Sequence, residues 1–275
     1  MGKPHLTNAA KPATFEVEAY NERGEMVPTA VAGEHPLTVY LDKREIVTLM
    51  TLGHAPEALA IGYLRNQRLA DSIDDIAAVQ VDWETESVAV TTHSKRPLPA
   101  LDKKTVTTGC GHGTVFGDLM EEIDSIKLRT DVRLTDADLF VLLEKVRKHE
   151  TIYKQAGAVH GCALASTAGE ILMFVEDVGR HNAVDAIAGF MWLEAIDGSD
   201  KVFYTTGRLT SEMVIKCAQM RIPFLVSRSG LTQMGHAIAL KVGITMLGRA
   251  SGRHYLAFTG KERLVRTTPQ PTALA

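Results

Sequence analysis

The sequence predicts an α/β protein: a mixed, largely parallel sheet flanked by helices, preceded by a smaller β-rich lobe. Three observations predict it. After about residue 135, strand-like runs of four to nine residues alternate with amphipathic stretches of about ten, the pattern of parallel strands joined by crossover helices. Before residue 98, short apolar/polar alternations dominate instead. And 275 residues with 45% hydrophobic and 23% charged content suffice for one large domain or two modest ones. The expected division is a β-rich N-terminal lobe with one helix over 14–97, a flexible segment over 98–134, and an α/β lobe over 135–266.

Taken in order, Phe15, Val17 and Ala19 alternate with polar residues, and Val79, Val81 and Trp83 are followed after a Glu-Thr-Glu turn by Val88 and Val90. These read as half-buried antiparallel strands. A helix opens at Pro56, where the first turn tolerates proline, and carries Leu59, Ala60, Tyr63 and Leu64. Residues 107–114, Thr-Thr-Gly-Cys-Gly-His-Gly-Thr, hold three glycines within five residues and resist a stable helix or central strand.

Thr135 is placed to cap a helix with Asp136 and Asp138 in its first turn and Leu139, Leu142, Leu143 and Val146 on one face. Strands follow at 158–166 and 170–175, and Asn182 is read as the cap of a helix through Trp192. The remainder alternates: strand 202–205, helix 211–220, strand 224–227, helix 233–241, and strands 244–247 and 254–259. The polar ends, about residues 1–13 and 267–275, are expected to fray.

Charge is unevenly spread. Residues 201–275 hold eleven Lys/Arg and two acids, a local +9, which leaves −12 on the first 200 and a total of −3. A basic C-terminal quarter points to an anion. Three scattered cysteines, Cys110, Cys162 and Cys217, exclude a disulfide framework and a Cys-rich zinc site. The order of strands and helices resembles that of a zinc deaminase, but His160-Gly-Cys162 lacks the glutamate and Pro223 has no cysteine pair, so no metal site is expected. The N-terminus has no apolar core of a signal peptide, and a cytoplasmic location is expected, with no membrane or nucleic-acid partner.

Cys110 is the foremost candidate for chemistry. A thiol between glycines, with His112 nearby to favour the thiolate, suits attack on a sulfane sulfur or carriage of that sulfur as a persulfide. Cys162 and Cys217 fall on strand and helix core patterns. Glu176-Asp-Val-Gly-Arg-His-Asn182 stands at a junction of strand and helix, where free amides favour an anion. There Arg180 and His181 are suited to grip a phosphate or carboxylate, while a capping and salt-bridge cluster is an equal reading. Gly207 and Arg208 repeat the arrangement at the next strand end, Ser227–Thr232 at a third, and Arg249 and Arg253 flank a small-residue loop fit to lie along a pyrophosphate.

The string 176–185, Glu-Asp-Val-Gly-Arg-His-Asn-Ala-Val-Asp, with Gly207-Arg208, Ile222-Pro223, Thr232, Phe258-Thr259 and Glu262-Arg-Leu264, resembles the formate dehydrogenase accessory sulfurtransferase family over about residues 15–265. So does Leu59-Ala-Ile-Gly-Tyr-Leu64. The resemblance implies a deaminase-like lobe without zinc. It implies a sulfurtransferase that takes persulfide sulfur from a cysteine desulfurase onto Cys110 and passes it to the molybdenum or tungsten bis(pterin guanine dinucleotide) cofactor, required for formate dehydrogenase activity. GDP or a related guanine nucleotide would then serve as an analogue, and a homodimer is expected.

The resemblance also implies that Arg249, Ala250, Ser251, Gly252, Arg253 and His254 contact the cofactor, with Gly207, Arg208, Arg180 and His181 supplying the strand-end chemistry. Two departures stand out. Gly113 replaces a second loop cysteine, leaving a relay through Cys110 alone, and Gly248-Arg249 stands where the family commonly has Gly-Phe. The alternative is a non-catalytic escort that protects and inserts the cofactor. A cysteine hydrolase would need a fixed Cys–His pair, which the glycine-rich setting disfavours.

Overall fold

A computed structural model describes residues 3–94, 104–106, 126–149 and 151–267. It is a mixed α/β fold whose residues form two compact units. The first comprises Met1–Asp118, Glu150–Cys162 and Val175–Ile196, and the second Leu119–His149, Ala163–Phe174 and Asp197–Ala275.

The first unit is built on a six-stranded sheet, ordered β1-β6-β7-β4-β5-β8. Its strands are β1 (His5–Leu6), β4 (His35–Leu41), β5 (Arg44–Thr51), β6 (Ile76–Asp82), β7 (Ser87–Thr92) and β8 (Lys104–Val106). The pairs β4–β5 and β6–β7 are antiparallel, the second as the alternation over 79–90 predicts, while β1–β6, β4–β7 and β5–β8 are parallel. Leu37, Val39 and Leu41 point to one face of β4 and are fully or almost fully buried. Each such side chain contributes about 1.5–3 kcal/mol of transfer free energy.

Helix α1 (Pro56–Asn66) opens with its proline in the first turn, as predicted. It crosses α4 (Arg180–Leu193) at close range, because Gly62 and Gly189 leave no side chain between the two backbones. Asn66 Nδ2 donates to Asp185 Oδ1 at 2.7 Å and Arg65 Nη1 to the carbonyl of Ala188 at 2.8 Å. Burial, and then the charge of Arg68, bring Arg65 down to about 10. Its guanidinium lies 5.2 Å from the centroid of the Trp192 ring.

Three sequence expectations for this unit are corrected. Residues 3–13 do not fray: they form a strap. His5 and Leu6 pair in parallel with Ala78 and Val79, Ala9 N donates to Glu57 Oε1 at 2.9 Å, Trp83 Nε1 donates to Ala9 O, and Lys11 N donates to Gly53 O at 2.8 Å. The strand around Phe15 is not half-buried. It is β2 (Thr14–Tyr20), paired only with β3 (Met26–Ala32) in a two-stranded ribbon, with Phe15 43% and Val17 38% exposed. And Asn182 does not cap its helix, because the helix begins at Arg180 after Gly179 and Asn182 is already its third residue.

The second sheet has the order β11-β10-β12-β13-β14-β15. A two-residue strand, β9 (Leu134–Thr135), pairs apart from this sheet with β16 (Leu264–Val265); within the sheet β10 is His160–Ser166, β11 Ile171–Asp177, β12 Lys201–Thr205, β13 Phe224–Ser227, β14 Thr245–Ser251 and β15 His254–Ala257. The run β12-β13-β14 is parallel and β14–β15 antiparallel, which is the mixed, largely parallel sheet expected. Helix α2 (Asp136–His149) presents Leu139, Leu142, Leu143 and Val146 to a core with Val202, Phe224, Val226 and Leu247. Thr135 caps it as read, accepting from Asp138 N at 3.0 Å. A short helix, α3 (Ile152–Ala156), belongs to the first unit, while α5 (Ser211–Gln219) and α6 (Gln233–Val242) belong to the second. Among the described residues no helix is long and apolar enough to cross a membrane.

Candidate functional site

In the second unit the loops after three parallel strands are tied together. Arg228 N donates to Thr205 O at 3.2 Å, Leu209 N to Gly230 O at 3.0 Å, and Arg249 N to Ser229 O at 2.8 Å. Ser227 Oγ donates to the carbonyl of Gly207 at 2.6 Å, and Gly207 N donates to Thr205 Oγ1 at 3.1 Å. These bonds use the backbone and the buried Thr205 and Ser227 side chains, leaving Arg208, Arg228 and Arg249 exposed. Three guanidinium groups thus stand at the carboxyl ends of adjacent strands, the place where open α/β sheets bind ligands.

Two features of this end go beyond structural need. Arg249 has φ +53°, a left-handed conformation that costs a non-glycine residue about 1 kcal/mol. It occurs at the irregularity between Gly248 and Ser251, where β14 departs from regular pairing with β15. Gly248 cannot easily become larger, since a β-carbon would touch Phe258 Cε2 at 3.0 Å. Thr210 precedes α5 at the cap position but makes no side-chain cap bond, and its Oγ1 is buried with no hydrogen-bond partner among the described residues.

The loop carries on to Gly252 and Arg253, which with α2 line a cleft of about 450 Å³. Its other walls are Ala137, Phe140, Val141, Leu143, Glu144 and Arg147. The floor is apolar and the rim carries two arginines and one carboxylate. Lys148, by a 2.6 Å contact, and then Arg147 and Arg253 hold Glu144 below the ordinary carboxylate range. Sequence reasoning took only the core face of α2 and missed this second stripe. Ala137, Phe140, Glu144 and Arg147 recur at helical spacing, the signal that a second occupied face leaves.

The sequence-predicted residues fall in both units. Gly207, Arg208 and Arg249 come together at the strand ends, Ala250 is buried in β14, and Ser251, Gly252, Arg253 and His254 are exposed on the adjoining turn. Arg180 and His181 belong to the first unit, in the first turn of α4, and are 9% and 6% exposed. Cys110, with His112 and Gly113, lies outside the described residues. Cys162 and Cys217 are fully buried. Among the described residues no group of three or more potential ligands could hold a metal ion.

The acidic part of the Glu176–Asn182 string is structural. Glu176 accepts from the backbone N–H of Thr151, Ile152 and Tyr153 at 3.2, 2.9 and 3.0 Å, fastening the start of α3. Asp177 Oδ2 accepts from Thr51 Oγ1 at 2.5 Å and Leu52 N at 3.1 Å. Its Oδ1 accepts from Gly179 N at 3.0 Å and Asn182 Nδ2 at 2.9 Å. The same Asn182 amide donates to Met50 O at 2.6 Å, joining β5 to the Asp177 cluster. Burial raises the Asp177 pKa, although each of these four bonds opposes the rise.

The fold is mixed α/β, with Arg208, Arg228 and Arg249 exposed at the ends of three parallel strands. The comparisons are specific: residues 32–265 match the FdhD/NarQ family, and the chain belongs to it. It is 28% identical over 263 residues to a sulfur carrier protein FdhD of Listeria innocua, covering 94% of this chain and 99% of that one. It is 31% identical over 251 residues to a protein of the same name from Sulfurisphaera tokodaii, covering 89% and 95%. A crystal structure of a formate dehydrogenase accessory protein from Desulfotalea psychrophila aligns with TM-score 0.76 and 26% identity, over 92% of this chain and all of that one.

Proposed function

We propose that this chain is a sulfur carrier, a sulfurtransferase with a cysteine persulfide intermediate, that serves formate dehydrogenase. The Cys110 thiolate attacks the sulfane sulfur of a cysteine desulfurase persulfide. The S–S bond breaks, the desulfurase cysteine leaves as thiolate, and the sulfur remains on Cys110 for delivery to the molybdenum or tungsten bis(pterin guanine dinucleotide) cofactor as substrate. The observation that carries the reading is the tied set of strand ends presenting Arg208, Arg228 and Arg249, an arrangement suited to the pyrophosphates of a guanine dinucleotide. The cleft beside Arg253 offers an apolar wall for a flat ring next to cationic groups. We place the activity in the cytoplasm and in a homodimer, with the cofactor-handling residues in the 135–266 part of the chain.

The test is mass spectrometry of the Cys110 peptide after incubation with a cysteine desulfurase and cysteine, together with GDP binding by calorimetry. A gain of one sulfur that Cys110→Ala abolishes, with GDP binding unchanged, is the expected result. GDP binding without any sulfur gain would favour the cofactor escort.

A further inference from the structure

The β2–β3 ribbon has an open edge, and its chemistry selects what fits there. In an antiparallel ladder, bonded and non-bonded pairs alternate. Gly33 N donates to Ala13 O at 2.9 Å and Asn21 N to Glu25 O at 3.0 Å, so the bonded pairs of the ladder involve the odd-numbered residues of β2. The N–H and C=O groups of Thr14, Glu16, Glu18 and Tyr20 therefore point outward, and no hydrogen bond to them is made from the described residues. On β3 the outward residue opposite Glu18 is Pro28, which has no N–H to offer, so that edge is blunted and the β2 edge is not.

The two faces of the ribbon differ. Phe15 and Val17 share one face with Val31, and the three remain 43%, 38% and 43% exposed. Glu16 and Glu18 share the other with Met26 and Tyr20, 51% and 75% exposed. Over 14–32 the chain holds four glutamates and one arginine. A second copy adding its own β2 antiparallel would oppose glutamates to glutamates, which is destabilising.

We propose that the outer edge of β2 accepts, by strand addition, an extended segment of a partner protein in which apolar and basic residues alternate. Its backbone pairs with Thr14, Glu16, Glu18 and Tyr20, its apolar side chains lie with Phe15 and Val17, and its lysines or arginines meet Glu16 and Glu18. This surface is independent of the sulfur-carrier reading.

The probe is a fluorescein-labelled peptide of alternating lysine and valine, with a glutamate–valine peptide as control, followed by fluorescence anisotropy on the full chain. The wild type binds the first and not the second. Glu18→Pro removes only an outward donor, because the pair with Pro28 is a non-bonded one. It should weaken binding about tenfold or more, as the loss of a backbone bond and strand fit implies, with the thermal midpoint unchanged. Should that variant unfold, the pair Glu16→Lys with Glu18→Lys decides, by reversing the preference to the glutamate–valine peptide. Unchanged binding by Glu18→Pro, equal uptake of both peptides by the wild type, or a wild-type dimer in sedimentation that Glu18→Pro dissociates would each overturn the proposal.

Discussion

Gly62 lies directly against the carbonyl oxygen of Asp185: a β-carbon there would overlap that oxygen, and one at Gly189 would overlap the carbonyl of Ala58. The obstacle in both cases is helix backbone, which has no rotamer to yield. Gly62→Ala should therefore cost at least ~2 kcal/mol even though alanine favours helix. Urea unfolding checks it, and a stabilised variant would mean that α1 and α4 are farther apart than described.

Glu176→Ala should lower stability by about 2 kcal/mol, because the amides of Ile152 and Tyr153 lose their acceptor. Glu176→Gln keeps one acceptor oxygen and should recover roughly half of that loss. The pair is compared by denaturant midpoint.

Asp177→Asn places an NH₂ group among four donors and should cost about 1–3 kcal/mol. The pH dependence has a definite sign. Since burial raises the native pKa of Asp177, the native state holds the proton to higher pH than the unfolded chain. That contribution is full below the unfolded value near 3.9 and is lost as pH rises through the raised native value. The asparagine variant lacks this decline, so its deficit relative to wild type should shrink as pH increases from about 4, a trend that unfolding curves across pH would read directly.

Arg249→Gly should separate function from stability. Glycine relieves the left-handed strain but loosens the unfolded chain, so stability should change by less than ~1 kcal/mol. GDP binding should weaken about tenfold, as it should for Arg208→Ala, and the wild-type affinity should fall with added salt. Calorimetry at two ionic strengths tests all three.

Regular elements with strong local signals were readable from residues alone. Pro56 marks its helix start, Thr135 its cap, and the apolar run 224–227 coincides with β13. Elements defined by distant partners were not. The strap depends on side-chain bonds from Thr7, Glu57 and Trp83 that no local periodicity encodes. The alternation of Phe15, Val17 and Ala19 is the same whether or not anything covers its apolar face. At the candidate site, the arginines were visible as turn residues, but only the loop-to-loop bonds distinguish Arg208 and Arg249, gathered at one sheet end, from the buried Arg180.

The first unit takes its residues from both sides of a long intervening stretch, and the helix against which Gly62 packs ends only at Leu193. During synthesis α1 must wait for roughly 130 further residues before its partner exists, which at typical ribosomal speeds is on the order of 6–26 s. Over that interval the face of α1 that meets α4 has nothing to bury against, although its other side already has β6 and β7, so this one apolar face stays open to holdase chaperones until residues 180–193 are made.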